Sequence, residues 1–285
     1  MRPFGARLAA ATAEHGPLCV GIDPHVSLLD AWGLPDSAEG LRRFALTVME
    51  AVGGRVAAVK PQSAFFERHG SAGVAVLEEV VAAGRDTGTL VVVDAKRGDI
   101  GSTMGAYADA YLRDGSPLAG DALTVSPYLG FGSLAPAVEA ALATGRGLFV
   151  LALTSNPEGP AVQHARDADG VAVADRVARE AAEANAAELA RAGGDLGSVG
   201  LVVGATIGDA AARLGVDLAA VRGPLLAPGV GAQGAGPAEL AAVFGAARSA
   251  VLASSSRGVL AAGPDPRALR DAARAAADAA GAALR

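Results

Sequence analysis

The stretch Leu90-Val91-Val92-Val93-Asp94-Ala95-Lys96-Arg97-Gly98-Asp99 carries the pattern from which the fold of this chain can be inferred. Its first four residues form a short, largely β-branched apolar run, which is typical of a strand buried in a parallel sheet. Charged side chains follow at once, with one carboxylate two residues before Lys96 and another three residues after it. The stretch therefore predicts a buried strand whose carboxyl end carries a polar site.

Seven further apolar runs bounded by Gly, Pro or charge resemble this one. The eight predicted strands are Leu18–Asp23, Val56–Lys60, Leu90–Lys96, Ala122–Ser126, Leu148–Leu153, Val199–Thr206, Leu225–Val230 and Ala250–Ser255. Alanine-rich segments with helical spacing lie between them, at 67–83, 103–113, 133–143, 171–191 and 237–246. Residues 3–14 predict a helix before the first strand, and residues 265–285 predict one after the last.

Alternating strands and helices imply right-handed crossovers and a parallel sheet. Eight such units favour a closed (β/α)8 TIM barrel over an open doubly wound sheet. A single α/β domain over residues 1–285 is expected, because barrels of this kind commonly run to roughly 250 residues. The connection after the fifth strand is the longest, and its first part, residues 154–160, is a candidate lid.

Composition limits the classes of function. The chain is 51% hydrophobic and 19% charged, which indicates a globular protein, and no apolar run approaches the ~20 residues of a membrane span.

Because Cys19 is the only cysteine and no secretory leader is recognisable, we expect a cytoplasmic protein in which Cys19 is a small buried hydrophobe. The net charge of −6 argues against a nucleic acid or an acidic membrane as partner, but leaves an anionic small molecule open. The four histidines lack metal-ligand spacing.

Only two of the 24 basic side chains are lysine, Lys60 and Lys96. An ammonium can give up a proton, whereas a guanidinium effectively never does, so these two lysines are the first candidates for chemistry. On an extended strand, Asp94 and Lys96 point to the same side. The flanking carboxylates favour the charged form of Lys96, which suits a proton donor and disfavours an amine nucleophile.

Polar residues collect at the carboxyl ends of the predicted strands, where barrels of this fold place their active sites. The strand-end side chains are Asp23, Lys60, Asp94, Lys96 and Ser126. Gly-rich residues 228–234 follow the seventh strand, and residues 254–258 follow the eighth. Backbone N–H groups of such loops bind phosphate, and Arg257 adds donors suited to a phosphate dianion. We therefore expect a phosphorylated ligand.

Each of these features also has a purely structural interpretation. Asp23 could cap the next helix, and Lys60 could be a solvated charge at the end of a strand. The charges around Lys96 could form a salt-bridge network that pins the barrel rim. The Gly-rich loops could be no more than tight turns.

The residues 92–103 resemble the signature of the orotidine 5′-phosphate decarboxylase family, particularly its longer bacterial type. That signature reads Asp-x-Lys-x-x-Asp-Ile-Gly-x-Thr at the end of the third barrel strand. The resemblance extends in the expected order to residues 20–23, 59–61, 124–128 and 227–231 and to Arg257. It implies decarboxylation of orotidine 5′-phosphate to uridine 5′-phosphate, the last step of de novo UMP synthesis, with no cofactor and no metal.

The resemblance also implies roles for individual residues. Lys96 would protonate C6 as carbon dioxide leaves, Asp94 would lie against the substrate carboxylate, and Lys60 would bridge the ribose and the charge network. The remaining contacts would be Asp23 to the ribose, Ser126 and Gln233 to the pyrimidine, and Gln233 and Arg257 to the phosphate, with the backbone of Pro228, Gly229 and Gly231 nearby. Asp99 and Thr103 would reach the site of a second subunit, which implies a homodimer.

Three other functions are compatible with such a barrel. A metal-dependent sugar-phosphate decarboxylase or aldolase would use Asp94 and Asp99 around Mg²⁺, but those relatives carry an acidic ligand near the end of strand two, where this chain has Lys60. A Schiff-base aldolase would use Lys96 as nucleophile. A binding protein for a phosphorylated metabolite would perform no catalysis.

Overall fold

Eight parallel strands close into a barrel in the order in which they follow one another along the chain, in a computed structural model that describes residues 2–230 and 234–285. The strands are β1 Leu18–Ile22, β2 Ala58–Pro61, β3 Leu90–Arg97, β4 Ala122–Val125, β5 Gly147–Leu153, β6 Val199–Val203, β7 Leu225–Pro228 and β8 Val251–Ser255. Pairing of β8 with β1 closes the barrel. The predicted (β/α)8 fold is confirmed.

Helices of very different length connect the strands. They are α1 Phe4–His15, α2 Val26–Ala31, α3 Ala38–Val52, α4 Ser63–Glu67, α5 Gly70–Thr87, α6 Gly101–Leu112, α7 Ala135–Thr144, α8 Pro160–Gln163, α9 Val173–Ala192, α10 Ala210–Leu214, α11 Pro237–Phe244, α12 Arg257–Leu260 and α13 Pro266–Ala283. Among the described residues, no helix is long and apolar enough to span a membrane.

Alternation along the strands divides the core into two layers. In β3, Val91 and Val93 pack in the large cluster beneath the helices, whereas Val92 packs in a smaller cluster inside the barrel. The interior cluster also contains Cys19, Ala58, Ala122, Leu226 and Leu252. Because side chains alternate with a period of two, the polar residues that follow these positions by two or four residues also face the interior. The alternation therefore decides which strand-end side chains meet.

Helix α1 covers the amino-terminal end of the barrel. Phe4 inserts there and meets Phe149 edge to face, with ring centroids 5.9 Å apart. Gly147 makes this possible, because a Cβ at that position would overlap the Phe4 ring. Arg7 fastens the helix through an ion pair with Asp121 and a 2.9 Å hydrogen bond to the carbonyl of Gly145. Helix α1 therefore closes the barrel interior at this end.

Several predicted boundaries are wrong by a few residues. Strand β2 begins at Ala58 rather than Val56, and β6 ends at Val203 rather than Thr206. The predicted helix 67–83 divides into α4 and α5, because Gly70 adopts a φ of +62° that interrupts the helix. Helix α3 was not among the predicted alanine-rich segments, since its buried face consists largely of leucine, valine, methionine and phenylalanine.

Cys19 is confirmed as a small buried hydrophobe. Its side chain is fully buried inside the barrel, and burial raises the pKa of its thiol to about 12. The thiolate, which is the reactive form of cysteine, is therefore scarce at neutral pH.

Candidate active site

A cavity of about 700 Å³ opens at the carboxyl ends of the strands. Its polar lining residues follow the apolar interior residues by two or four positions along the strands. The strand-end side chains that line it are Asp23, Lys60, Asp94, Lys96, Thr124, Pro228 and Ser254. The residues Gly229 and Arg257 complete the wall on the β7 and β8 side. The structure thus brings together in one cavity most of the residues predicted from separate strands.

A buried carboxylate joins the two lysines. Asp94 accepts a 2.9 Å hydrogen bond from Lys60 Nζ on Oδ2 and a 2.6 Å hydrogen bond from Lys96 Nζ on Oδ1. Lys60 and Asp94 are 5% and 7% exposed, whereas 45% of the Lys96 side chain is exposed towards solvent. Two cations therefore share one anion, and both line the cavity, with Lys96 the more exposed of the two.

Asp94 and Lys96 face the same side, as predicted, but the backbone between them is not regularly extended. Lys96 has a φ of +48°, a left-handed conformation that is uncommon for a residue other than glycine. The pairing of β3 with β4 also shifts between Val93 and Arg97. The direction of the Lys96 side chain therefore depends on a local irregularity of the strand, which sequence alternation cannot predict.

The charges of the array fix its protonation state. Burial by itself raises the pKa of Asp94, but Lys60 and Lys96 outweigh it and lower the pKa to about 2. Burial likewise acts to lower the pKa of Lys60, but the carboxylates of Asp94 and Asp23 raise it above the ordinary value. At neutral pH the carboxylate of Asp94 and the ammonium of Lys60 are therefore both ionised, in spite of their burial.

Asp23 follows β1 and faces the same cavity. Its side chain is 8% exposed, and its Oδ1 has no hydrogen-bond partner among the described residues. The interpretation of Asp23 as a helix cap receives no support, because α2 has no side-chain cap. Asp23 also lines the cavity, so its carboxylate is placed to accept hydrogen bonds from a ligand hydroxyl.

The wall formed by β7 and β8 offers backbone groups and one guanidinium. Gly229 has a φ of +88°, which a residue with a side chain rarely adopts, and this turn lets the chain leave β7 sharply. Arg257 is the first residue of α12, lies at the rim and is exposed. Gly231 and Gln233, two further predicted ligand contacts, lie outside the described residues. The described part of this wall can receive an anionic group.

Three predicted residues lie outside the cavity of a single chain. Ser126 is half-buried beyond the end of β4, and its N–H donates to the carbonyl of Arg97. Asp99 accepts a 2.8 Å hydrogen bond from the N–H of Ile100 on the loop after β3, and Thr103 is exposed on the first turn of α6. None of the three is part of the cavity lining.

Thr124 is the main site residue that the sequence did not single out. It is 1% exposed, lines the cavity and donates a 2.8 Å hydrogen bond to Asp94 Oδ1. Its position two residues after the interior Ala122 was the available signal. His25 and Gln62 also line the cavity without having been predicted, whereas Ser254 belongs to the predicted loop 254–258.

Arg97 lies on the face of β3 opposite to the cavity. Its guanidinium turns away from the cavity, pairs with Glu67 and donates a 3.2 Å hydrogen bond to the hydroxyl of Tyr111. It also lies over the ring of Tyr107, with 5.5 Å between the guanidinium carbon and the ring centroid. Of the adjacent cations Lys96 and Arg97, only Lys96 lines the cavity.

The arrangement can supply a proton and stabilise negative charge. The exposed Lys96 ammonium lies beside the anchored carboxylate of Asp94, on the wall of a cavity that Asp23 and Arg257 also line. Within residues 2–230 and 234–285, no group of three His, Cys, Asp or Glu side chains is placed to hold a metal ion. Preorganised charges of this kind stabilise anions that develop during a reaction.

Comparison with known proteins identifies the family. Residues 16–272 match the family model described as orotidine 5′-phosphate decarboxylase / HUMPS family. Relatives named orotidine 5′-phosphate decarboxylase from Salinispora tropica and Streptomyces coelicolor are 63% and 61% identical, each over 96% of this chain and 95% of the relative.

Solved structures agree with the sequence comparison. The crystal structure of a Streptomyces avermitilis protein is 61% identical, with a TM-score of 0.94, and the alignment covers 100% of this chain and 96% of the other. The Leishmania donovani OMP decarboxylase is 32% identical, with a TM-score of 0.75 over 99% of this chain and 98% of the other. The chain described here therefore belongs to the orotidine 5′-phosphate decarboxylase / HUMPS family.

Proposed function

We propose that this protein decarboxylates orotidine 5′-phosphate to uridine 5′-phosphate and carbon dioxide, the last step of UMP synthesis. The observation that carries the proposal is the Lys60–Asp94–Lys96 array, which faces a cavity at the carboxyl ends of the strands in a member of this family. The relatives named for this activity match nearly the whole chain. Orotidine 5′-phosphate is accordingly the first substrate to test.

Lys96 is the proposed proton donor. When the bond between C6 and the carboxylate breaks, carbon dioxide leaves and the electron pair remains on C6. A proton from the Lys96 ammonium then forms the new C6–H bond, and the amine regains a proton from solvent. The exposure of Lys96 at the cavity mouth supports this role, because its Nζ can reach both ligand and water.

Asp94 is the proposed neighbour of the departing carboxylate. Lys60, Lys96 and Thr124 hold it in place through hydrogen bonds, and its pKa of about 2 keeps it ionised at neutral pH. A fixed negative charge beside the substrate carboxylate disfavours the bound substrate, and this repulsion is relieved as neutral carbon dioxide leaves. Lys60 completes the array and approaches the ribose.

Electrostatic stabilisation is the proposed source of the rate enhancement. The carbanion at C6 has no adjacent electron sink, so the barrier must fall by an amount near the upper end for enzymes, on the order of 20 kcal/mol. Charges that are already in position need no reorganisation during the reaction. The buried Lys60–Asp94 pair and the adjacent Lys96 meet that requirement.

The rest of the cavity is proposed to bind the nucleotide. Asp23 would accept hydrogen bonds from ribose hydroxyls, because its carboxylate lines the cavity. Arg257, Gln233 and the backbone of Pro228, Gly229 and Gly231 would hold the phosphate, and Ser126 and Gln233 would contact the pyrimidine. Remote binding energy from the phosphate would then align the ring with Lys96.

A homodimer completes the proposal, with Asp99 and Thr103 contributed to the site of the partner subunit. Neither residue lines the cavity of its own chain. The loops after β3 and β4 lie against each other at Gly98 and Ser126, and they expose large apolar side chains. These are Ile100, Tyr128 and Leu129, which are 62%, 75% and 53% exposed. Apolar side chains exposed together on neighbouring loops can form the patch that an interface buries.

Two broader features belong to the same proposal. Residues 1–285 are proposed to act as one domain, since all eight strands join one barrel and α13 packs against α3 and β1. A cytoplasmic location is proposed from the single cysteine, which is typical of a reducing compartment.

A spectrophotometric assay of orotidine 5′-phosphate in the presence of a chelator tests the function. We expect the wild-type protein to consume the substrate at the same rate with and without chelator, and Lys96→Ala to be inactive. Turnover that stops on chelation would favour a metal-dependent sugar-phosphate decarboxylase or aldolase instead. If the wild-type protein does not change the absorbance of orotidine 5′-phosphate, the proposed function is wrong.

A further inference from the structure

Thr124 occupies an unusual position between two groups of the candidate site. Its hydroxyl donates a 2.8 Å hydrogen bond to Asp94 Oδ1 and accepts a 2.9 Å hydrogen bond from the backbone N–H of Lys96. A hydroxyl has one hydrogen and two lone pairs, so it can make both bonds at once. Because Thr124 is 1% exposed, solvent cannot readily replace either bond.

The bond to Lys96 falls where β3 departs from regular pairing. Val93 pairs with Leu123 and Arg97 pairs with Val125, so β3 advances four residues while β4 advances two. Thr124 is the β4 residue between those pairs, and its side chain supplies an acceptor to Lys96, whose φ is +48°. A left-handed residue other than glycine persists only where its surroundings hold it, and this hydrogen bond is one such restraint.

The two bonds act on the same pair of charged groups. The Thr124 hydroxyl donates to the carboxylate of Asp94, which also accepts from Lys96 Nζ. The same hydroxyl accepts from the backbone N–H of Lys96. Thr124 therefore closes a ring of hydrogen bonds through Asp94 and Lys96. The ring therefore restrains both the backbone of Lys96 and its ammonium group.

We propose that Thr124 is a positioning residue, whose hydroxyl fixes the ammonium of Lys96 relative to Asp94 and the substrate carbon. This inference rests on the proposed decarboxylation. It assigns to Thr124 no contact with the reacting atoms. Its effect is on turnover rather than on affinity, because the misplaced group is the proton donor and not a nucleotide contact.

The test compares Thr124→Val with Thr124→Ser. Valine keeps the shape and removes the hydroxyl, whereas serine keeps the hydroxyl. We expect Thr124→Val to lower kcat for orotidine 5′-phosphate on the order of 10²-fold, because small displacements of a catalytic group cost about that much. We expect KM and the dissociation constant of uridine 5′-phosphate to change far less. Thr124→Ser should retain most of kcat.

Thr89→Val is the matched control. Thr89 is also buried, at 3% exposed, and its hydroxyl also accepts a backbone N–H, at 2.6 Å from Gly54. It lies just before β3 and does not line the cavity. We expect a loss of thermal stability in Thr89→Val with kcat unchanged.

Each result of these assays either supports or overturns the positioning role of Thr124. A Thr124→Val protein that still binds uridine 5′-phosphate but has lost kcat, with recovery in Thr124→Ser, supports the positioning role. If Thr124→Val retains the kcat of wild type, or if serine fails to restore it, the inference is overturned. Equal losses of kcat in Thr124→Val and Thr89→Val would also overturn it. Failure of the wild-type protein to consume orotidine 5′-phosphate would instead contradict the proposed function.

Discussion

Lys60 and Asp94 form a buried ion pair across adjacent strands β2 and β3, with 2.9 Å between Nζ and Oδ2 and side-chain exposures of 7% and 8%. Removing one partner from such a pair leaves an uncompensated charge in the interior. The pair is thus both a part of the candidate site and a constraint on the stability of the barrel.

Lys60→Met is expected to destabilise the protein by about 3 kcal/mol, the lower end of the range for a broken buried pair. The value lies at that end because Lys96 and Thr124 still donate to Asp94. Urea unfolding at pH 7 measures the change. As a control, the double variant Lys60→Met/Asp94→Asn removes both charges and should recover part of the loss. An additive loss in the double variant would show that the pair is not coupled.

The pH dependence of stability follows from Asp94. Its pKa falls from 3.8 to about 2 on folding, so it contributes stability above pH 4 that is lost as the pH falls from about 4 to 2. A shift of this size corresponds to about 2 kcal/mol. Urea unfolding of wild type and Asp94→Asn across this range should therefore show a steeper fall for the wild type by about that amount. Parallel curves for the two proteins would contradict the lowered pKa.

Lys96→Arg separates charge from proton transfer. Arginine keeps a cation beside Asp94 but effectively cannot give up a proton, so we expect turnover to fall by more than about 10³-fold. Binding of uridine 5′-phosphate, measured by calorimetry, should change far less and serves as the control for an intact site. Substantial turnover by this variant would exclude Lys96 as the proton donor.

Mixing two inactive variants tests the shared site. Lys96→Ala and Asp99→Ala should each be inactive alone, because each lacks one component in every site. In a heterodimer, one site receives both components, so random exchange of subunits restores about a quarter of the wild-type activity. The assay is turnover of orotidine 5′-phosphate after co-refolding, with size-exclusion chromatography to verify the dimer. No recovery in mixed dimers would place Asp99 in the site of its own chain, and an active Asp99→Ala protein would place it outside any site.

Gly147→Ala tests the closure of the barrel by α1. The added Cβ would overlap the ring of Phe4, so we expect a loss of about 1–3 kcal/mol in unfolding free energy, as for other overpacked cores. Gly105→Ala in α6 is the control, because, apart from the backbone of α6 itself, no atom of residues 2–230 or 234–285 lies within 4 Å of its Cβ position and alanine favours a helix. Chemical denaturation measures both. Equal stability of the two variants would mean that Phe4 moves aside without cost.

The sequence by itself determined the barrel and the position of the site. Short apolar runs alternating with helical segments specify eight parallel strands, and the charges at the strand ends mark the face where the active site lies. Lys60, Asp94 and Lys96 could be selected without a structure. Lysine is rare in this chain, and both lysines follow apolar runs that predict strands. The orotidine 5′-phosphate decarboxylase signature around Lys96 then named the family.

Only the tertiary structure decided how these groups meet. The left-handed backbone of Lys96 and the shifted pairing of β3 with β4 depend on contacts between strands, and no local pattern encodes them. Thr124 belongs to the site because the register places its hydroxyl between Asp94 and Lys96, although a buried threonine in a strand is unremarkable in sequence. Sequence therefore specified which charges the site contains. Strand register and closure of the barrel set their distances, because these depend on residues far apart in the chain.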